Sequence, residues 1–220
     1  MKKLQKIIFF TKKPIATNQK FYEDLGERIG LKLIGKIEKH NREIEIEQNI
    51  GMKIEISTDS SRLENDNYVL IINDNRIEFS TKKDSSIENF KEFKNLFISI
   101  IDFLKEAYQE IYRVGYIIYN FEDCDKSISE FLKIPFLKNA NEINIKYNNI
   151  EELEGYRFNN NITISSRFNN EKVFLILQDF NFVVNKKLVL EKDIIEKIYD
   201  YLEENYYNQE IKKYIGIEES

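Results

Sequence analysis

The side chains that could do chemistry in this chain are few and scattered. There is one histidine and one cysteine. His40 sits in Glu38-Lys-His-Asn-Arg42, a polar turn between two strand-like stretches. An imidazole there could act as a base or a ligand, but a solvated loop histidine accounts for it. Cys124 lies in Phe121-Glu-Asp-Cys-Asp125, where neighbouring carboxylates raise a thiol pKa and oppose a reactive thiolate. Glu122, Asp123 and Asp125 could offer oxygens to a hard cation. Acids at a helix start are equally favoured by the helix dipole, and that is the reading adopted. Gly26-x-x-x-Gly30 lacks the Lys-Ser/Thr that completes a phosphate loop. The sequence contains no nucleophile elbow and no paired-histidine or paired-cysteine zinc motif. Transition-metal sites draw chiefly on His and Cys, so no catalytic residue, no metal and no cofactor is expected.

Binding chemistry has better material. Tyr147, Tyr156, Arg157, Phe158, Arg167 and Phe168 lie among Asn, Arg and Lys in the 147–170 region. Aromatics interleaved with arginines can stack on bases or anchor a protein partner, although strand packing explains aromatics at this spacing equally well. Arg113 stands alone between a helical and a strand-like stretch. There it could pair with an acid inside the fold or stabilise the helix end.

Composition narrows the class. At 220 residues the chain fits a single domain, residues 1–220. With 42% hydrophobic and 32% charged residues it can bury a core and stay soluble. The net charge of −5 does not favour nucleic acid, for which a basic face supplies most of the affinity. One cysteine permits no intrachain disulfide, and a reducing cytoplasm is the expected location. No apolar run reaches the roughly 20 residues that span a bilayer, and the opening MKKLQKIIFF is too short a core for a signal peptide.

The elements that must position these residues follow from periodicity. Phe90, Phe93, Phe97, Ile100, Ile101, Leu104, Tyr108 and Ile111 recur at spacings of three and four, which predicts one long amphipathic helix from Ser85 or Ser86 to about Tyr112. A strand from Tyr116 to Asn120 follows it. Upstream, the pattern predicts strands at 6–11, 31–38, 43–47, 53–57, 68–72 and 76–80, and a helix at 18–27 capped by Thr17 or Asn18. Downstream it predicts a helix at 125–132, strands at 142–147, 161–165, 173–177 and 181–184, and a helix at 191–207. The order repeats. Leu70-Ile-Ile-Asn-Asp74 matches Leu175-Ile-Leu-Gln-Asp179, which suggests two related halves, 1–111 and 112–220. The expected fold is α+β: one largely antiparallel curved sheet with long helices on one face, like the TATA-binding-protein saddle or the helix-grip folds.

Two resemblances add to this. Phe90-Lys-Glu-Phe93, Arg113-Val-Gly115 and Asn120 resemble an uncharacterised, sporadically distributed family of prokaryotic proteins of about 250 residues. In that family a phenylalanine-rich helix precedes a strand opening with Arg-x-Gly and closing with Asn. Tyr119 is displaced by one position from the family tyrosine. The resemblance covers about half the chain and implies no known activity, only a place in an accessory system such as defence or mobile-element biology. Phe21-Tyr-Glu-Asp-Leu-Gly26 with Leu31-Lys-Leu-Ile-Gly35 resembles the helix-to-strand turn of glyoxalase-type repeats, echoed by Asp125-Lys-Ser-Ile128 and Phe131. That resemblance implies a divalent metal held by His and Glu, and this chain has one histidine.

The expectation is a non-enzymatic binding module that uses the uncovered sheet face or the 147–170 loops. The expected partner is a protein, with nucleic acid as an alternative and no membrane. A small-ligand or metal-dependent enzyme of glyoxalase-like architecture is the other alternative.

Overall fold

The structure is a computed structural model that describes residues 2–15, 18–37, 60–82, 90–106, 110–123, 142–166, 173–183 and 191–201. It is α+β, with nine strands and three helices among these residues. The strands are β1 (Lys2–Thr11), β2 (Lys32–Ile37), β3 (Ser60–Glu64), β4 (Tyr68–Asn73), β5 (Arg76–Thr81), β6 (Ile111–Asp123), β7 (Asn144–Leu153), β8 (Tyr156–Ser166) and β9 (Val173–Phe182). The helices are α1 (Gln19–Ile29), α2 (Phe90–Glu106) and α3 (Lys192–Tyr201). All nine strands form one sheet in the order β2-β3-β4-β5-β1-β6-β9-β8-β7, and every pairing is antiparallel.

Local chemistry sets the boundaries. Asn18 caps α1, its Oδ1 accepting from the Phe21 amide at 2.8 Å. Gly30 ends the helix in the left-handed region, at φ 67°. That places Gly26 and Gly30 on a helix and its cap, not on a phosphate loop. The turn between β7 and β8 is Glu154-Gly155, with φ of 52° and 77°. Two successive positive φ values suit the right-handed twist of a two-residue hairpin. The 147–170 region is thus mainly this hairpin and not a set of loops.

The three helices lie on one face of the sheet. Phe93, Phe97, Ile100, Ile101 and Leu104 of α2 are fully buried, as the 3.6-residue period predicts. They meet alternate side chains of the strands. Phe93 stacks on Phe79 at 4.7 Å, and Phe97 lies 6.5 Å from Phe9 and 4.7 Å from Tyr199 of α3. On the other side of the sheet's midline, Phe158 stacks on Phe180 at 4.7 Å. Ion pairs tie the helices together at their rims: Arg28–Glu106 at 2.6 Å, Lys192–Asp102 at 2.9 Å, Lys105–Glu191 at 2.9 Å, and Lys94–Asp200. Exposed pairs of this kind add little stability each.

Several expectations are corrected. Ile111 and Tyr112 belong to β6 and not to the long helix, whose described part ends at Glu106. The bulge between Phe10 and Thr11 in the β1–β6 pairing falls beside them. The two strands expected at 173–184 are one, because Gln178 and Asp179 continue β9 instead of breaking it. β3 carries only Leu63 as an apolar residue, and pairing on both sides holds it in the sheet. The matched segments occupy different places. Asp74 is in the β4–β5 turn, whereas Asp179 is within β9, which pairs directly with β6. The strands expected at 43–57, the helix expected at 125–132, His40 and Cys124 lie outside the described residues.

Candidate functional site: the sheet face opposite the helices

Strand alternation sorts every residue of the sheet to one face or the other. Gln5, Ile7 and Phe9 of β1 point to the helices, so Leu4, Lys6, Ile8 and Phe10 point away. No described helix packs on that second face. Its cross-strand rows follow from the register. One row runs Arg62, Ile71, Glu78, Ile8, Gly115, Asn181 and Asn159. The next runs Glu64, Val69, Ser80, Lys6, Ile117, Asp179 and Asn161.

The charges of this face are largely paired with one another. Lys6 Nζ and Arg76 Nη2 both reach Glu78, at 3.0 and 2.7 Å. Arg62 and Lys82 both reach Glu64, at 2.5 and 3.2 Å. Arg157 lies 3.7 Å from Glu152. The Arg62 side chain holds the Glu64 carboxyl below its ordinary range, by hydrogen bond first, with Lys82 adding to the effect against desolvation. Towards β8 the face becomes amide-rich. Asn148 Nδ2 donates to Asn161 Oδ1 at 2.7 Å, and Asn161 Nδ2 donates to the Asp179 carbonyl at 3.4 Å.

The centre of the face is Phe10. The Arg113 guanidinium lies over its ring, 5.1 Å from the centroid, and that of Arg76 lies at 5.8 Å. The Tyr112 ring is 6.4 Å away, brought there by the bulge. Cation–π contacts of this kind gain strength as water is excluded. The Nε atoms of both arginines are buried and find no hydrogen-bond partner among the described residues. Beside Arg113, Gly115 opens a slot for its cross-strand neighbour: a Cβ at Gly115 would stand 2.8 Å from Asn181 Oδ1. Asn181 in turn donates to the Asp179 carboxylate. Burial pushes the Asp179 carboxyl above its ordinary value, against the pull of the Asn181 bond and the Arg113 charge.

The described residues among those singled out by sequence are divided between the two faces of the sheet. Tyr147 is half-buried on the helix side of β7. Tyr156 is half-buried against Phe182 at 5.5 Å, and Phe158 is fully buried in the core. Arg157, between them, points to the opposite face and is exposed. Period-two alternation separates it from its aromatic neighbours. Arg167 and Phe168 lie outside the described residues. Among the described residues Arg113 pairs with no acid within 4 Å; it is half-buried and lies on the open face. Phe10 and Arg76 had no sequence signal of their own, since each reads as an ordinary strand position.

One cleft between sheet and helices is lined by Ile7, Val114, Tyr116, Phe180, Ile195, Ile198 and Tyr199, which are aliphatic or aromatic side chains with two phenols among them. Among the described residues no three His, Cys, Asp or Glu side chains gather closely enough to hold a metal ion, and no helix is long and apolar enough to cross a membrane. No family model matches the chain, and no curated protein matches its sequence.

Proposed function

We propose that this chain is a protein-binding module whose docking surface is the sheet face opposite the helices. The observation that carries the reading is the charge pattern of that face. Its carboxylates each hold two cations in ion pairs, as in Lys6–Glu78–Arg76 and Arg62–Glu64–Lys82, so these four bases do not stand free. Nucleic acid demands an unpaired basic surface to release counterions. A mixed surface with half-buried Ile71, Ile117, Tyr119 and Leu177 between the charges suits a protein, whose interfaces combine apolar area with satisfied polar groups.

We further propose that the sheet arose by duplication and curves in the manner of the TATA-binding-protein saddle. The strand order supports this reading. Outward from β1 run β5, β4, β3 and β2, and outward from its neighbour β6 run β9, β8 and β7, so the halves match in their inner four strands and β2 is extra. In this reading β5 and β9 correspond, not β4 and β9.

The test is site-specific photocrosslinking in an extract of the source cells. One probe is placed at Ile117 on the open face and a control probe at Glu23 on α1. A discrete protein adduct from Ile117 alone, reproduced with the purified partner, is expected. Equal adducts from both positions, adducts to nucleic acid, or none from Ile117 would overturn the reading.

A further inference from the structure

Arg113 is the half-buried cation of the open face that no described carboxylate neutralises. Lys6, Arg62, Arg76 and Arg157 each have a carboxylate within 4 Å on that face. Arg113 has none among the described residues, although it is half-buried near the middle of the sheet. A guanidinium withdrawn from water without a counter-charge loses solvation that a cation–π contact repays only in part. The neighbourhood adds to the imbalance. Among the described side chains of β5, β1, β6 and β9 that point to this face, the cations are Lys6, Arg76 and Arg113, and the acids are Glu78 and Asp179. Glu78 already serves both Lys6 and Arg76. The Asp179 charge acts on Arg113 only from beyond ion-pair distance, and burial opposes its ionisation. A chain of net charge −5 therefore holds a cationic centre on its open face.

The geometry fits a planar, two-pronged acceptor. The Phe10 ring covers one side of the guanidinium, 5.1 Å from the ring centroid, and a cation held by a π contact keeps its N–H groups for hydrogen bonding. Nε is buried while the residue is half-exposed, so the terminal Nη pair is the edge left for a ligand, and Asn181 stands in the slot opened by the neighbouring Gly115. Arginine held in this way pairs with a carboxylate through two parallel hydrogen bonds, which lysine cannot do.

We propose that the Arg113–Phe10 centre receives the carboxylate of a Glu or Asp side chain in an acidic segment of the partner protein. This deepens the docking-face reading above and rests on it.

The test follows the Arg113 Nε–Hε resonance and the Gly115 and Asn181 amides by NMR during titration with capped tetraglutamate. Inorganic sulfate and a twelve-residue oligothymidylate serve as comparison probes. Saturable shifts at all three positions with tetraglutamate are expected. Binding should weaken about 10-fold or more in Arg113→Gln, and Arg113→Lys should recover only part of it. Arg28→Gln, on the helix side, should leave binding unchanged. Absence of a shift at millimolar tetraglutamate overturns the proposal. So do equal effects from sulfate, which would mark a free-anion site, and tighter binding of the oligothymidylate, which would mark a nucleic-acid site. If Arg113→Gln does not fold, the wild-type shifts and Arg113→Lys decide. Photocrosslinking separates the two readings. An adduct from Ile117 that persists undiminished in Arg113→Gln leaves the docking face standing and removes the carboxylate assignment. Loss of the wild-type adduct removes both.

Discussion

Tyr199, in the last described helix, donates its hydroxyl hydrogen to Gln5 Oε1 in the first strand at 3.0 Å, across 194 positions of sequence. Tyr116 of β6 donates to the same oxygen at 2.7 Å. Gln5 is 1% exposed. Its Oε1 is satisfied twice over, so one acceptor binds α3 to the two central strands, while its Nε2 finds no partner among the described residues. Tyr199 is also the aromatic hub between Phe97 and Tyr116, at 4.7 and 5.4 Å. Helix docking and the sheet's midline are thus linked through one residue.

Tyr199→Phe should cost about 1 kcal/mol, the usual net worth of one internal hydrogen bond. Gln5→Leu should cost about 2 kcal/mol or more, because it removes the acceptor shared by two buried phenols. Denaturant unfolding of both variants and the double variant forms a cycle. A coupling of about 0.5 kcal/mol or larger is expected for residues in contact. Strict additivity would show that the bond does not contribute.

Phe97 sits in the densest part of the core, fully buried between Phe9, Phe93 and Tyr199. Phe97→Ala should cost about 3–5 kcal/mol through lost burial and the remaining cavity. That is a large share of the 5–15 kcal/mol typical of a domain. An unchanged denaturation midpoint would contradict the packing described for α2.

How much of this was legible depends on how far each signal reaches along the chain. Helix α2 was plain, because five core residues at helical spacing leave no other way to bury them together. The N-cap of α1 was legible to within one residue, Thr17 or Asn18, because a cap acts within four residues. Strand β3 was not, because Ser60–Glu64 holds a single apolar side chain and its stability comes from neighbours on both sides. The break read into β9 failed because Gln178 is a buried polar residue, with its Nε2 donating to Asn160 Oδ1 at 3.2 Å. In sequence alone it looks like a loop residue. The open-face centre was half legible. Arg113 stood out as an isolated cation, but its support, Phe10, is brought beside it only by the β1–β6 pairing.

Gly115 should resist substitution although it lies within a strand, where glycine is usually a weakness. A Cβ there would stand 2.8 Å from Asn181 Oδ1, so Gly115→Ala must displace that side chain and its bond to Asp179. A cost of about 1–3 kcal/mol is expected. Asn181→Ala should remove the obstruction, so the double variant should be more stable than the sum of the single effects. A Gly115→Ala variant as stable as the parent would show that Asn181 moves aside freely.

The last prediction concerns the pH dependence set by Asp179. Its carboxyl is raised above the ordinary value, by burial first, with the Asn181 bond and the Arg113 charge opposing. A folded-state pKa above the unfolded one means that the folded chain binds this proton more tightly. The associated stability is fully present below the unfolded pKa of about 3.9 and is lost as pH rises through the folded value. At neutral pH the ionised Asp179 therefore weakens the fold. Asp179→Asn keeps the size of the side chain and an oxygen to accept from Asn181, but removes the charge. It should raise the melting temperature at pH 7. The advantage should shrink as pH falls through the raised folded-state value, where the parent carboxyl becomes neutral. Thermal melts of the two proteins across pH 3.5 to 7 decide the point. A variant less stable than the parent at pH 7 would show that the pull of Arg113 on the ionised form outweighs desolvation, and that Arg113 is neutralised within the chain after all.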